Sequence, residues 1–554
     1  MSHATGLAPD VREMVLETLQ EVLRRHLPEE RILDLDARDA FPEDVVKELF
    51  SPDVGMHLLF LPEEVGGLGG GTADVCRVSE VMASVDLGVA TAFLATFLGT
   101  EPLLFGGTPE QQEIWLGRVA AEGLIVAYGV TEPEAGSNLA SLKTTAQPIL
   151  GADGTVGSYR LNGTKQFITN GGVADLYTIL ARAPQGPTFF VVERGTPGFS
   201  SGRHEEKHGI RASNTTSVIL EDVVVPAANL IGGVEGQGLR QASAVFGHTR
   251  LMVGSFGLGA GQNALDRAVR YGRQRIQFGG PLIEKEGYAL KLLVPHAVAL
   301  AAGRAYLEEI AARLDEEGTD LPIEGAIAKY WCTEAGNRAA DAALQAHGGY
   351  GYMREYMVEK IRRDVRITNI YEGTSEILQS VIGMNRWKDH VRSKGAFYAG
   401  RAEALEVLHE ENDAIGADTV AKAARGLGDI LSYAQQHRLP RHQIVLFALA
   451  DLVTVVEVAA AFCRKAACEA RSGDASARLT GIMSRILGRE ALTEMSRIGR
   501  LCAVGFTDRA DEWAVETARP LMDRLAPGEA LQTMTGHWLD MSQVAAHLAS
   551  DHPA

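Results

Sequence analysis

Cysteine is scarce in this chain of 554 residues: there are five. Cys76, Cys332, Cys463, Cys468 and Cys502 are scattered, odd in number and without the short paired spacing of a zinc or redox motif. A disulfide scaffold and a thiolate metal site are therefore excluded, no metal is expected, and the thiols are expected to be buried and reduced. Positive charge is also in deficit. A formal net charge of −18 argues against non-specific nucleic-acid binding, because phosphate contacts need a cationic face. A few local cations could still serve an anionic ligand at a pocket. Residues 1–14 contain no basic region followed by an apolar run, so no signal peptide is expected and the protein is placed in the cytoplasm. The most apolar stretch, Ile444 to Val458, is interrupted by Asp451 and Glu457 and reads as a buried helix, not a transmembrane segment. There is no internal repeat and no low-complexity tract.

What is present is a long, ordinary globular composition, 46% apolar, enough for about three to four domains. Residues 1–125 read as an N-terminal helical domain. Val11, Met14, Val15, Leu19 and Val22 share one helical stripe, and Glu80 to Leu98 suits a helix packed on most faces. The glycine-rich segment from Pro62 to Gly69 follows no strand and reads as a plain loop. Residues 126–233 change character to short β-rich runs: 159–164, 176–180, 188–192 and 218–225. Asn162-Gly163 is a hairpin signal within the first of them. Residues 234–390 return to helical periodicity, over 250–273, 288–317, 323–347 and 371–384, and predict a four-helix bundle. A polar connector is expected at 393–400. Residues 391–554 form an extra all-helical domain, divided at Leu439-Pro440, Ser472-Gly473 and Pro527-Gly528. The fold class is α+β, with a small middle barrel or sheet between helical blocks.

Three segments far apart in the chain carry the chemistry: Tyr128-Gly-Val-Thr-Glu-Pro-Glu-Ala-Gly-Ser137, Gln345-Ala-His-Gly-Gly-Tyr-Gly-Tyr352, and Arg363-Asp364 followed by Ile370-Tyr-Glu-Gly-Thr-Ser-Glu-Ile377. Taken alone, Glu372 stands between an aromatic residue and a glycine at the entrance to a helix. A partly desolvated carboxylate there is a better base, while an acidic residue at a helix N-terminus also complements the dipole. Thr131 and Thr169 read alone as turn or strand-end hydroxyls.

Together and in order, these segments resemble the signature of the acyl-CoA dehydrogenase family. The resemblance runs from about residue 35 to 390, with further matches at 62–69, 163–171, 207–213, 221–226 and 275–279. It implies an FAD enzyme that converts an acyl-CoA to the trans-2-enoyl-CoA, as in β-oxidation, with Glu372 as catalytic base. The thioester carbonyl is expected to be held by the backbone N–H of Glu372 and a ribityl hydroxyl of FAD. By the same resemblance FAD contacts fall on Tyr128, Val130, Thr131, Gly136, Ser137, Phe167, Ile168, Thr169, Thr374 and Glu376. Phe167 stands where many relatives place Trp, and Glu376 falls on the adenine side. Arg275, Phe278, Gln345 and Gly349 are implied to reach the FAD of a neighbouring subunit, which makes a homodimer the smallest complete enzyme. Read alone, Arg275 to Gly279 is a helix end with a capping glycine. Ser137, Arg250, Tyr371 and Gly373 border the substrate, although many relatives carry Asp where this chain has Gly247.

The resemblance also implies an electron-transfer flavoprotein as acceptor. The wall from Ala90 to Gly99 holds only Ala, Thr, Phe, Leu and Gly, which favours an apolar, medium- to long-chain acyl group. In placement and length the extension resembles that of very-long-chain acyl-CoA dehydrogenases. An acyl-CoA oxidase, using oxygen as acceptor, shares the same base and flavin and stays an alternative. A DNA-binding flavoprotein of the alkylation-response type is less favoured, since residues 390–554 carry 18 Lys and Arg against 21 Asp and Glu.

Overall fold

The computed structural model describes residues 6–317, 321–505, 512–525 and 533–550. It divides into two compact units: Met1–Asn263 with Ala311–Gly325 and Met353–Glu372, and Ala264–Ile310 with Ala326–Tyr352 and Gly373–Ala554.

The first unit opens with the helix Pro9–His26, which has Pro at its first position, Asp10 in its first turn and Arg24, Arg25 and His26 in its last. That charge order complements the helix dipole. Val15, Leu19, Val22 and Leu23 are buried, while Met14, expected on the same stripe, stands 58% exposed. The single helix expected over 80–98 is instead two, Thr72–Val85 and Leu87–Gly106. Asp86 divides them. Its backbone is extended, and its carboxylate accepts the Val89 N–H at 2.9 Å, the arrangement of an N-cap.

A seven-stranded sheet follows: β1 Val126–Gly129, β2 Thr145–Leu150, β3 Val156–Thr169, β4 Leu176–Ala183, β5 Gly186–Glu193, β6 Phe199–Ser201 and β7 Thr215–Pro226. The order is β1-β4-β2-β3-β7-β6, with β5 also on β4. β1 and β4 run parallel, and β5 covers β4 antiparallel from Leu176 opposite Glu193 to Ala183 opposite Gly186. β4 therefore reads as an almost unbroken apolar run because it is buried between neighbours. The hairpin expected at Asn162-Gly163 is not there. The chain turns earlier, at 151–155, where Gly154 is left-handed and the Gly151 N–H meets the Thr155 carbonyl at 2.8 Å. Asn162 instead sits inside β3 at a register shift and bonds Asp222 of β7 twice, through its amide nitrogen and its oxygen. A Cβ at Gly163 would lie 2.4 Å from Thr144 Oγ1, so close backbone approach explains that glycine.

The second unit is helical. The helix Gly238–Gln274, which begins in the first unit, starts well before the expected residue 250. The stretch expected as one helix over 288–317 is Glu286–Leu292 and Val294–Glu317. Pro322–Ala346 follows, as the periodicity implied. The helix expected from Tyr371 begins only at Ser375 and continues to Arg392. The connector expected at 393–400 shrinks to Ser393–Gly395, because Ala396–Glu411 is helix. Ala417–Gln436, Gln443–Ser472 and Ala477–Val504 complete the core of the extension, and the breaks at Leu439-Pro440 and Ser472-Gly473 fall between helices. The break at Pro527-Gly528 lies outside the described residues.

The two carboxylates inside the apolar Gln443–Ser472 helix have partners. Asp451 accepts from Tyr330 and Gln379, each at 2.7 Å, and Glu457 is paired with Arg386 and Arg401. By length and composition this helix and Leu87–Gly106 could each cross a membrane, and both are mostly buried inside the protein. All five cysteines are free. Four are buried as expected, but Cys468 is exposed.

Candidate active site

Tyr371, Glu372 and Gly373 form a tight loop ahead of the Ser375–Arg392 helix. Thr374 caps that helix, its hydroxyl accepting the Ile377 N–H at 3.3 Å. Glu372 has φ 54° and Gly373 φ 96°. Gly373 adopts this freely, but a glutamate in the left-handed region costs roughly 1–2 kcal/mol and persists only where its surroundings hold it there. The Lys329 ammonium donates to the Gly373 carbonyl at 2.8 Å, from a side chain with no exposed surface. The Thr249 hydroxyl, fully buried on the Gly238–Gln274 helix, lies 3.1 Å from Glu372 Oε2 and 3.0 Å from the Val245 carbonyl. Glu372 is thus a fixed carboxylate outside the helix, not a residue of its first turn. Glu376 occupies the first turn and is exposed.

The neighbourhood is strongly desolvated. The Tyr371 hydroxyl is buried near Thr91, and desolvation raises the pKa of its phenol. Glu101 is 1% exposed; burial first, and the charge of Glu372 second, push its pKa well above the ordinary carboxylate range. Tyr128, in β1, is raised by burial and then by Glu372 and Glu101. Its ring stacks on Phe189 with centroids 5.8 Å apart. Thr249, Glu101 and His248 were not among the residues expected at the site. Glu101 had a sequence signal, being the only charged residue in the Leu87–Gly106 helix. Thr249 had none beyond its place next to Arg250. Arg250 itself reaches the Pro322 carbonyl at 3.2 Å.

The remaining residues of the first unit surround the end of β3. Val130 is buried and Thr131 half-buried just after β1, where the Gln166 N–H donates to the Thr131 carbonyl at 2.9 Å. Beneath them Lys165 donates to Glu132 at 2.6 Å and to the Val130 carbonyl at 3.2 Å. Burial lowers the Lys165 pKa to about 8 against the pull of Glu132, while Lys165 and the Lys143 and Thr144 N–H groups hold Glu132 low against its own burial. This buried pair also escaped the sequence reading. A bulge between Lys165 and Ile168 turns Phe167 outward with φ 58° and 63% exposure, while Ile168 packs inward and Thr169 ends the strand. Gly136 and Ser137 are exposed, and a Cβ on Gly136 would meet nothing within 4 Å. An exposed aromatic on a strained bulge, two partly open hydroxyls and an open glycine turn suit a flat heteroaromatic cofactor with a phosphate-bearing tail.

In the second unit, Arg275, Phe278, Gln345 and Gly349 are all exposed, Phe278 at 93%. Gly279 does not cap a helix. Phe278 and Gly279, with φ 49° and 78°, are the two turn residues of a small hairpin in which Gln277 pairs with Gly280.

Family models describe the chain in order as acyl-CoA dehydrogenase N-terminal domain over 9–123, middle domain over 127–223 and C-terminal domain over 236–386. An acryloyl-CoA reductase (NADH) from Anaerotignum propionicum is 39% identical over 355 residues, 63% of this chain and 88% of the relative. The mouse mitochondrial very long-chain specific acyl-CoA dehydrogenase is 33% identical over 383 residues, 67% of this chain and 56% of the relative. The solved structure of an acyl-CoA dehydrogenase complexed with FAD from Bacillus anthracis matches in fold at a TM-score of 0.82 and 23% identity, over 99% of this chain and 98% of that one. The chain belongs to the acyl-CoA dehydrogenase family, a class of FAD-dependent oxidoreductases. Its extra C-terminal helices lie beyond the three family domains and recur in that full-length fold.

Proposed function

We propose that Glu372 is the base that removes the α proton of an acyl-CoA. The observation that carries this reading is its fixed, left-handed position ahead of the helix, with the Thr249 hydroxyl at one carboxylate oxygen. Glu372 is half-buried, and a carboxylate partly removed from water is suited to act as a general base. The Glu372 backbone N–H, in the loop ahead of the helix, donates to the thioester carbonyl as negative charge builds on its oxygen. The bound FAD supplies the acceptor for the β hydride. Tyr128, Val130, Thr131, Gly136, Ser137, Phe167, Ile168, Thr169, Thr374 and Glu376 are the residues assigned to hold and orient it. Ser137, Arg250, Tyr371 and Gly373 border the thioester and its carrier arm.

The exposed Arg275, Phe278, Gln345 and Gly349 complete the cofactor site of a neighbouring copy, so the working enzyme is a homodimer. Electrons leave to an electron-transfer flavoprotein, in a cytoplasmic enzyme of fatty-acid β-oxidation. The buried wall from Ala90 to Gly99 accommodates hydrocarbon. The test is anaerobic bleaching of the flavin by a series of saturated acyl-CoAs, with wild type and Glu372→Gln. Bleaching by wild type alone supports the assignment. Bleaching by neither, with FAD fully loaded, contradicts it, and peroxide release in air reveals an oxidase.

A further inference from the structure

The apolar wall that begins at Ala90 does not stay apolar. Two residues past Gly99, on the same helix, Glu101 is 1% exposed. One of its oxygens is 4.0 Å from His248 Nδ1, beyond hydrogen-bond reach. Its other oxygen, Oε2, is buried and has no hydrogen-bond partner among the described residues. The Tyr128 hydroxyl is in the same condition, buried and without a partner, and the charge of Glu372 acts on both groups. His248 is held edge-on to Phe105, with centroids 5.0 Å apart.

Buried polar atoms are almost always satisfied, and an orphan costs about 1–3 kcal/mol. Two of them in the neighbourhood of the catalytic carboxylate need a partner that the described residues do not provide. A plain alkyl chain lying here would leave both orphaned. An acyl group with a hydrogen-bond donor at its far end would satisfy Glu101 and leave its hydrocarbon segment along Ala90 to Gly99.

Resting on the acyl-CoA dehydrogenase reading, we infer that Glu101 is a specificity-determining residue, and that the substrate is an acyl-CoA whose chain ends in a hydroxyl group. Tyr128 shares the recognition, its hydroxyl donating to the same substituent. A site built to bond a polar group discriminates against the analogue lacking it, because its own buried groups are then left unpaired.

The experiment measures kcat/KM, by anaerobic flavin reduction, for isosteric pairs: 4-hydroxybutyryl- against pentanoyl-CoA, 5-hydroxypentanoyl- against hexanoyl-CoA, and 6-hydroxyhexanoyl- against heptanoyl-CoA. Wild type is expected to favour the hydroxylated member of at least one pair by about tenfold or more. Glu101→Leu reverses that preference, and Glu101→Gln, which keeps an acceptor, retains it. Flavin content of each purified variant guards against misfolding. If wild type reduces its flavin with the alkyl member preferred in every pair, the inference is overturned while the dehydrogenase reading stands. If the preference survives in Glu101→Leu, Glu101 is not its source and the inference is again overturned. If no thioester in the series or among other saturated acyl-CoAs reduces a loaded flavin, it is the dehydrogenase reading that fails.

Discussion

Glu457→Gln should destabilise the second unit through one buried network. Glu457 is 3% exposed and receives four hydrogen-bonded contacts: Arg386 Nε at 2.8 Å and Nη2 at 3.1 Å, the Tyr398 hydroxyl at 3.0 Å and Arg401 Nη1 at 3.0 Å. Arg386 belongs to the helix that Thr374 caps, so the network ties the C-terminal extension to the helix directly after the catalytic loop. Removing one partner of a buried pair typically costs about 3–5 kcal/mol, most of it from the charge left behind. Here Arg386 keeps Asp389 at 3.2 Å, and the Arg401 side chain is 40% exposed and can hydrate, so the lower end, about 3 kcal/mol, is expected. Burial alone would raise the Glu457 pKa, yet the two arginines hold it at about 2. A depressed folded pKa contributes stability that is complete above the unfolded value and lost as pH falls through the folded one. That contribution, about 3 kcal/mol for a shift of this size, should therefore disappear between about pH 5 and pH 2 in wild type and be missing in the variant. Urea unfolding of holoenzyme at pH 7 measures the first effect, and a series down to pH 3, where about 2 kcal/mol of the contribution is gone, measures the second. A loss below about 0.5 kcal/mol at pH 7, the range of an ordinary surface substitution, would refute the reasoning.

Three other outcomes follow from the site. Lys165→Met leaves Glu132 buried with only backbone donors under the Val130–Thr131 segment; FAD affinity should drop at least about tenfold, measured by apoprotein titration, and unchanged affinity would remove the pair from cofactor positioning. Thr249→Ala removes the hydroxyl at Glu372 Oε2 and should slow flavin reduction more than it weakens acyl-CoA binding, which stopped-flow bleaching against ligand titration separates. Gly99→Ala places a Cβ 2.7 Å from the Val126 carbonyl oxygen, and overpacking of about 1–3 kcal/mol should lower the thermal midpoint; an unchanged midpoint would mean that β1 yields easily.

The sequence was most legible where a pattern had one physical solution. Helical stripes such as Val15, Leu19 and Val22 and the buried run of β4 announced themselves, and ordered motifs carried the family and the position of Glu372. It was least legible where a local signal competed with tertiary demands. Asn162-Gly163 looks like a turn, but side-chain bonding to Asp222 and the approach of Thr144 keep it inside a strand. Asp86 falls inside the stretch expected as one helix over 80–98 and is an N-cap. Glu101, Thr249 and the Lys165–Glu132 pair are joined to the site only across long sequence separations, which no periodicity reveals. The left-handed backbones at Phe167, Phe278 and Glu372 are also invisible in residue type, since none is glycine.

The central claim, that Glu372 removes the α proton, is tested most directly by single-turnover flavin reduction with ordinary and α-dideuterated acyl-CoA, in FAD-loaded wild type and Glu372→Gln. The account predicts a wild-type rate slowed by deuteration and a variant rate lower by about a hundred- to ten-thousandfold, with acyl-CoA still bound. A Glu372→Gln enzyme that reduces its flavin within tenfold of wild type, with the same isotope effect, would show that another group takes the proton.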